Sequence, residues 1–248
     1  MQEPYTAVHD FCHGYIGDFG KLGLLRQLAS TGLSIGVNWY RTPDETHNSD
    51  GLHIGYLQKK EFRSCDPALW SALGQIVSSG KREIAALEQS SVLDAIYFGR
   101  LLDSSSGDKI TRQAVRMDWH AQALQALQGC DIVFVDPDNG LMVPSADGTA
   151  KSNKFVLPYE LAEYYREGTS IIYYQHKARR PDEFYIDQHR QLVSSGAFPG
   201  ATSLGLKFTK TSLRYYFCAI RPEHEKAVSA CIQQMMSSPW QYCFERVI

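Results

Sequence analysis

The stretch DIVFVDPDNG, residues 131–140, decides the predicted fold. Its apolar run from Ile132 to Val135 is typical of a parallel strand covered on both faces, and it ends abruptly in polar and turn-forming residues. A helix is expected before it at 117–129, with Asp118 as its N-cap. Helix and strand keep alternating toward the end of the chain, which predicts an α/β protein with a mostly parallel sheet.

The segments on either side extend this alternation. Periodicity and breakers predict helices at 18–30, 66–79, 81–89, 157–168, 182–195 and 223–238, and strands at 33–40, 170–180, 201–209 and 212–222. The segment 92–102 fits a helix or a strand, and the last two strands are expected to pair as an antiparallel hairpin. We therefore expect a single α/β domain over residues 1–248, with a Rossmann-like, doubly wound sheet.

Composition excludes several classes of protein. The 248 residues are 44% hydrophobic and 21% charged, which does not fit a disordered, collagen-like or coiled-coil chain. No apolar run approaches the roughly 18 residues of a membrane helix, and the first residues lack the pattern of a signal peptide. These features predict a cytoplasmic protein.

The cysteines predict neither a disulfide framework nor a zinc site. They are scattered singly, without a CxxC pair or a Cys/His cluster at the spacing of metal ligands. We expect free, buried thiols at Cys12, Cys65, Cys130, Cys218, Cys231 and Cys243.

Charge is unevenly distributed along a chain whose formal net charge is −2. Residues 177–221 hold eight Lys or Arg residues against three acids. Such a local excess suits a polyanionic substrate such as nucleic acid, although a solvated surface is an equally good interpretation.

Polar residues follow three of the predicted strands. In open α/β sheets the functional crevice lies beyond the carboxyl ends of the strands, so these residues are candidates for a site. Carboxylates beside an amide and a histidine are suited to general acid and base catalysis, although DPDNG could also be only a turn. The candidates are Asn38, Asp44, His47, Asp50 and His53 after the first strand, Asp136, Asp138 and Asn139 after the second, and Gln175, His176 and Arg179 after the third.

The chain resembles the bacterial 23S rRNA adenine-N6 methyltransferase group in the order of HGYIGDFGKLGLLRQL, MDWHAQALQAL, DIVFVDPDNG, SIIYYQHKAR and RYYFCAIRPEHEKAVSACIQQM. The resemblance implies a methyltransferase-type fold and the cofactor S-adenosylmethionine. In that family an Asp-Pro-Pro-Tyr motif, which grips a flipped adenine, stands where this chain has DPDNG. Asp136 and Pro137 match this motif, whereas Asp138 and Asn139 do not.

The first strand departs further from a methyltransferase. Its turn reads NWYRTPDETHNSDG, residues 38–51, without the GxG that lets a backbone approach the cofactor closely. The glycines of GDFG at 17–20 instead precede a helix, whose N-terminus could hold a phosphate beside Asp18 and Lys21. The sequence therefore predicts this fold without a cofactor.

The segments VFVDPDNGLM and IIYYQH also resemble the uracil-DNA glycosylase superfamily, in which an Asp-Pro or Asn-Pro segment positions the attacking water and a histidine stabilises the departing base. The leading hypothesis is a cofactor-independent DNA N-glycosylase that acts on an extruded, modified base. Its expected catalytic residues are Asp136, Asn139, His176 and Asp138. Its expected substrate-binding residues are Asn38, Trp39, Asp50, His53, Tyr174 and Gln175. Its expected phosphate-binding residues are Asp18, Lys21, Lys151, Lys154, Lys177, Arg179, Arg180 and Lys210.

Three other functions stay open at this point. The first is methyl transfer from S-adenosylmethionine to a nucleic-acid base. The second is a nuclease that binds Mg²⁺ through Asp136, Asp138 and Asp50, although the leading hypothesis needs no metal. The third is a binding scaffold without catalytic activity.

Overall fold

A computed structural model describes residues 13–43, 52–104, 106–211 and 213–248. Its strands are β1 (Ile35–Asn38), β2 (Ile96–Phe98), β3 (Ile132–Val135), β4 (Gly140–Leu141), β5 (Phe155–Val156), β6 (Ser170–His176), β7 (Thr202–Phe208), β8 (Arg214–Ile220) and β9 (Phe244–Arg246). Its helices are α1 (Ile16–Ala29), α2 (Lys60–Cys65), α3 (Pro67–Ser79), α4 (Ile84–Gln89), α5 (Lys109–Ala126), α6 (Pro158–Arg166), α7 (Asp182–Val193) and α8 (Pro222–Met236). Short 3-10 turns span Gly55–Gln58, Ala150–Lys154 and Pro239–Tyr242.

A seven-stranded sheet runs through the described part of the chain in the order β2-β1-β3-β6-β8-β7-β9. The strands β2, β1, β3 and β6 are parallel, whereas β8 is antiparallel to both β6 and β7. The antiparallel hairpin predicted from the sequence is therefore confirmed. The chain leaves β1 toward β2 on one side and later returns to β3 on the other, so the strand order reverses between β1 and β3.

Helices cover both faces of this sheet. One apolar cluster joins Ile132 and Phe134 of β3 to residues of α1, α3 and α8. The other joins Val133 and Val135 to residues of α5, α6 and α7. Alternate residues of the same strand thus face opposite layers, which explains the uninterrupted apolar run in the sequence and confirms the α/β class.

The predicted N-cap of α5 is wrong. The helix begins two turns earlier, and Asp108 is its N-cap, with a side chain that accepts a hydrogen bond from the amide of Thr111 at 2.8 Å. Asp118 instead lies on the exposed surface of the helix, 3.6 Å from Arg100. The first two turns of α5 carry exposed residues, so they lack the apolar period that marks a helix.

A buried ion pair fixes the segment before α6. Arg116 of α5 donates to both carboxylate oxygens of Glu160, at 2.6 and 2.7 Å, and to the carbonyl oxygens of Ser152 and Phe155. Tyr40 donates to the same carboxylate at 2.8 Å. Because every one of these groups is partnered, the network anchors the 3-10 turn Ala150–Lys154 to the layer of α5 and α6.

Of the helices that the structure describes, none combines the length and the hydropathy that a membrane span requires.

Candidate functional site

The candidate site lies at the carboxyl edge of the sheet, where the strand order reverses between β1 and β3. Asp136 follows β3, and its amide donates to the carbonyl of Asn38 at the end of β1. Lys21 reaches this edge from α1, the helix that crosses the face of the sheet before β1. In an open α/β sheet this is the position at which ligands bind.

Lys21 connects two aspartates in the site. Its ammonium donates to Oδ2 of Asp136 and lies 3.6 Å from Oδ1 of Asp18. The Lys21 and Asp18 side chains are 6% and 0% exposed, whereas 13% of the Asp136 side chain is exposed, so Asp136 is the member of the trio that solvent can reach. The ammonium also lies 5.0 Å from the ring centre of Trp39.

Burial and charge shift the titration of all three groups. Burial raises the pKa of Asp136 above its ordinary value, although Lys21 acts in the opposite direction. Burial disfavours the Lys21 ammonium, but Asp136 and Asp18 together raise the pKa of Lys21. Burial also acts against the Asp18 carboxylate, yet His13, Lys21 and the Gly14 amide lower its pKa. The site therefore holds one cation between a firmly ionised carboxylate and one that takes up a proton more readily.

The segment before α1 supplies partners that no pattern in the sequence indicates. Nδ1 of His13 lies 3.4 Å from Oδ2 of Asp18, and the amide of Gly14 donates to the same oxygen at 2.8 Å. His13 and Tyr15 fall within HGYIGD, a segment in which only Asp18 is a candidate from the sequence. Their contacts depend on how α1 packs against the sheet, which local periodicity does not predict.

A buried cation from β8 extends the site on the far side of β6. Arg214 is 2% exposed and donates to the hydroxyl of Tyr15 at 3.3 Å. Its guanidinium carbon lies 5.6 Å from the ring centre of Tyr15 and 5.8 Å from that of Tyr174. The signal in the sequence was a single charge in an otherwise apolar strand, RYYFCAI.

The DPDNG loop is held by hydrogen bonds with the Gln175 side chain. Its Oε1 accepts from the amide of Leu141 at 2.9 Å, and its Nε2 donates to the carbonyls of Asn139 and His176 at 3.0 Å. A Cβ on Gly140, whose φ is +103°, would lie 2.2 Å from Oε1 of Gln175. The amide predicted to bind substrate thus binds the loop itself, and glycine is required there.

The remaining predicted catalytic residues lie on neighbouring strand ends. His176 is half-buried at the end of β6, with Nδ1 3.4 Å from the hydroxyl of Tyr174. The amide of Asn139 donates to the carbonyl of Lys154 at 2.9 Å, and the exposed Asp138 lies 3.7 Å from the ammonium of Lys154. The ends of β3 and β6 therefore bring these polar residues to one edge, as the sequence predicted.

The side chains of two predicted substrate-binding residues form hydrogen bonds to other residues of the protein. Asn38 is fully buried, donates to the hydroxyl of Tyr164 at 2.9 Å and accepts from the amide of Tyr40 at 3.3 Å. Trp39 is 4% exposed, stacks on Tyr97 and donates to Glu88. A strand-end position alone does not tell whether a side chain faces a crevice or the interior.

The other predicted substrate-binding residues differ in access. Tyr174 is 8% exposed. His53 is exposed, and its carbonyl accepts from the amide of Ile16 at the start of α1, which places it beside the site. Asp50 lies outside the described residues, as do Asp44 and His47.

The predicted phosphate-binding residues differ in their contacts and in their exposure. Lys177 and Lys207 both pair with Asp182, and the ammonium of Lys210 lies 3.8 Å above the ring centre of Tyr242. Asp18 and Lys21 are buried in the site, and GDFG at 17–20 lies within α1 and not before it, unlike the predicted phosphate cradle. The exposed members of the predicted set are Lys151, Arg179 and Arg180.

In comparisons with known proteins, no family model and no curated protein matches this chain. Within the described ranges, no group of three or more His, Cys, Asp or Glu side chains is arranged to hold a metal ion.

Proposed function

We propose that this chain hydrolyses the N-glycosidic bond of a modified base that is extruded from DNA, without a cofactor. The observation that carries the proposal is the pairing of Asp136 with Lys21 at the reversal of strand order. There, the carboxyl group of Asp136 has a raised pKa, is partly accessible to solvent and contacts the buried ammonium of Lys21. Proton uptake by such a carboxylate is the step that a hydrolytic water needs.

The proposed reaction uses groups at two strand ends. Asp136 accepts a proton from water as the water oxygen bonds to the sugar C1′, and the electrons of the broken bond leave with the base. His176, at the end of β6, stabilises the departing base by donating a hydrogen bond. Lys21 orients Asp136 and favours its ionised form before the reaction.

The residues that follow β1 are the reason why we propose a reaction without a cofactor. Trp39 and Tyr40 are buried, and Tyr40 has a φ of +47°, a conformation that glycine adopts more easily. Bulky side chains thus occupy the turn in which a Rossmann-like fold places glycines against a nucleotide. The parallel strands β2, β1, β3 and β6, with helices on both faces, support that Rossmann-like, doubly wound architecture.

The test is release of free base from DNA that carries modified bases, with wild type compared to Asp136→Asn. We expect Asp136→Asn to lower the rate by about 10²- to 10⁴-fold, because the amide cannot accept the proton. His176→Ala should also slow release. Asp187→Asn, which removes an exposed carboxylate paired with Arg190, is the matched control and should keep the wild-type rate. Equal rates for Asp136→Asn and wild type would refute the proposal.

Methyl transfer to a base is the second candidate. The observation that favours it is the position of Asp136 and Pro137 directly after β3, next to β1, as expected from the resemblance to the adenine-N6 methyltransferase group. Calorimetric titration with S-adenosylmethionine and with its demethylated product separates the two candidates. Saturable binding at micromolar concentration would favour methyl transfer, whereas hydrolysis requires neither ligand.

A further inference from the structure

Two cysteines from distant parts of the chain meet beneath α1. Cys65 is the last residue of α2, and Cys243 follows the 3-10 turn Pro239–Tyr242. Their sulfur atoms lie 3.9 Å apart, although 178 positions separate them in the sequence. A disulfide has an S–S distance of about 2.05 Å, so the sulfurs need to approach by only about 1.9 Å.

The surroundings hold Cys243 in place and leave Cys65 accessible. The amide of Cys243 donates to the carbonyl of Trp240 at 2.8 Å, and its carbonyl accepts from the amide of Thr209 at 2.9 Å. Cys243 is buried, whereas Cys65 is half-buried at the end of a six-residue helix. An oxidant can therefore reach Cys65 first, with Cys243 directly behind it.

The two thiols also differ in acidity. The hydrogen bond from Cys243 lowers the pKa of Cys65, and Lys210 acts in the same direction, against burial and Asp66. The same hydrogen bond raises the pKa of Cys243. Burial raises the pKa of Cys231 to about 11, so that thiol is less reactive. Cys65 is thus the thiol that reacts with an oxidant, and Cys243 is the thiol that then reacts with the oxidised Cys65.

We propose that Cys65 and Cys243 form a reversible disulfide when the protein meets a peroxide. The Cys65 thiolate attacks one oxygen of hydrogen peroxide and becomes a sulfenic acid, while the O–O bond breaks and the leaving hydroxide takes up a proton. The Cys243 sulfur then bonds to the Cys65 sulfur, the S–O bond breaks, and water leaves with the thiol proton. Together the two thiols lose two electrons and peroxide becomes two molecules of water.

The bond would tie together two elements that contact the same helix. Phe62 of α2 and Trp240 of the 3-10 turn both pack on Phe19 of α1, with ring centres 5.7 and 5.1 Å apart. Lys21, two residues further along α1, reaches the candidate site. Oxidation would therefore lock the packing beneath the helix that carries Lys21, whatever reaction the site performs.

The test is peptide mapping of the full chain after treatment with hydrogen peroxide, without reduction. Trypsin should yield residues 64–81 linked to residues 227–246, and fragmentation should place the link at Cys243 and not at Cys231. The link should disappear in Cys65→Ser, persist in the control Cys231→Ser, and reverse with dithiothreitol. In Cys243→Ser, a sulfenic acid on Cys65 should become trappable by dimedone.

A second readout is thermal stability, because a cross-link that closes so long a loop restricts the unfolded chain. Oxidised wild type should melt about 5 °C or more above the reduced protein, whereas peroxide should not raise the melting temperature of Cys65→Ser. Two free thiols remaining at Cys65 and Cys243 after peroxide, or a link from Cys65 to another cysteine, would overturn the proposal.

Discussion

Lys21 is the residue on which the electrostatics of the site depend. It is buried between Asp18 and Asp136, so Lys21→Met would leave two carboxylates without their cation. Removing one partner of a buried ion pair costs about 3–5 kcal/mol of unfolding free energy. We expect a loss of that size at pH 7, measured by urea denaturation.

The double variant Lys21→Met, Asp136→Asn is the control for this prediction. It removes a carboxylate together with the cation, so it should recover part of the lost stability. Equal stabilities for the single and double variants would contradict this expected recovery.

His189 predicts how stability depends on pH. It is buried, hydrogen bonded to the hydroxyl of Tyr173, and burial lowers its pKa to about 4. The unfolded chain protonates this side chain near its ordinary pKa of about 6.5. The contribution of His189 to the unfolding free energy is therefore complete above that pH, and it is lost as the pH falls toward about 4. Over this range His189 should account for a loss of about 3 kcal/mol.

The measurement is the urea-unfolding free energy of wild type and His189→Gln between pH 7.5 and pH 4, with the exposed His53→Gln as control. The pH dependence should be shallower in His189→Gln only. Parallel curves for wild type and His189→Gln would contradict the prediction.

The sequence identified candidate residues but not the partners of their side chains. Asp136 and His176 could be found because they follow apolar strands, whose carboxyl ends share one edge. Asn38 and Gln175 occupy equivalent positions, yet their amides bind the hydroxyl of Tyr164 and the DPDNG loop. Only the three-dimensional packing decides which polar side chains face a ligand.

The packing of α1 against Trp240 can be tested with two glycine substitutions. A Cβ on Gly23 would lie 2.0 Å from the Trp240 ring, whereas one on Gly74 in α3 would meet only Leu57 at 3.7 Å. Gly23→Ala should therefore destabilise the protein by about 1–3 kcal/mol through overpacking. Gly74→Ala, the matched helical control, should stabilise it by about 0.5–1 kcal/mol. Thermal unfolding of both variants checks this, and a stabilising Gly23→Ala would contradict the close approach of α1 and Trp240.

Elements with a full apolar period were predicted well, and short or exposed ones were not. The strand at β3 and the helices α6, α7 and α8 lie within a few residues of the predicted segments. The strands β4, β5 and β9 have two or three residues, too few to show an alternation. Their positions are set by partners that are distant in the sequence.

The pairing of charges across the molecule predicts that the proposed binding to DNA depends only weakly on salt concentration. Besides the two lysines held by Asp182, Arg190 and Arg221 pair with Asp187 and Glu223. Arg179 and Arg180 are exposed. Since each phosphate contact contributes about 0.9 to the slope of log K against log salt, replacing both arginines with alanine should reduce the slope by about 2. Fluorescence anisotropy at several salt concentrations measures it, with Arg190→Ala as control, and an unchanged slope in the double variant would exclude this surface.

The most direct test of the proposed hydrolysis is a mass balance on DNA oligonucleotides that carry modified bases, incubated with the protein with and without S-adenosylmethionine. Hydrolysis by this protein predicts free base and abasic sites in equal amounts, formed at the same rate in both conditions and lost in Asp136→Asn. A base that stays attached and gains a methyl group only when S-adenosylmethionine is present would contradict it, as would a panel of substrates from which no base is released.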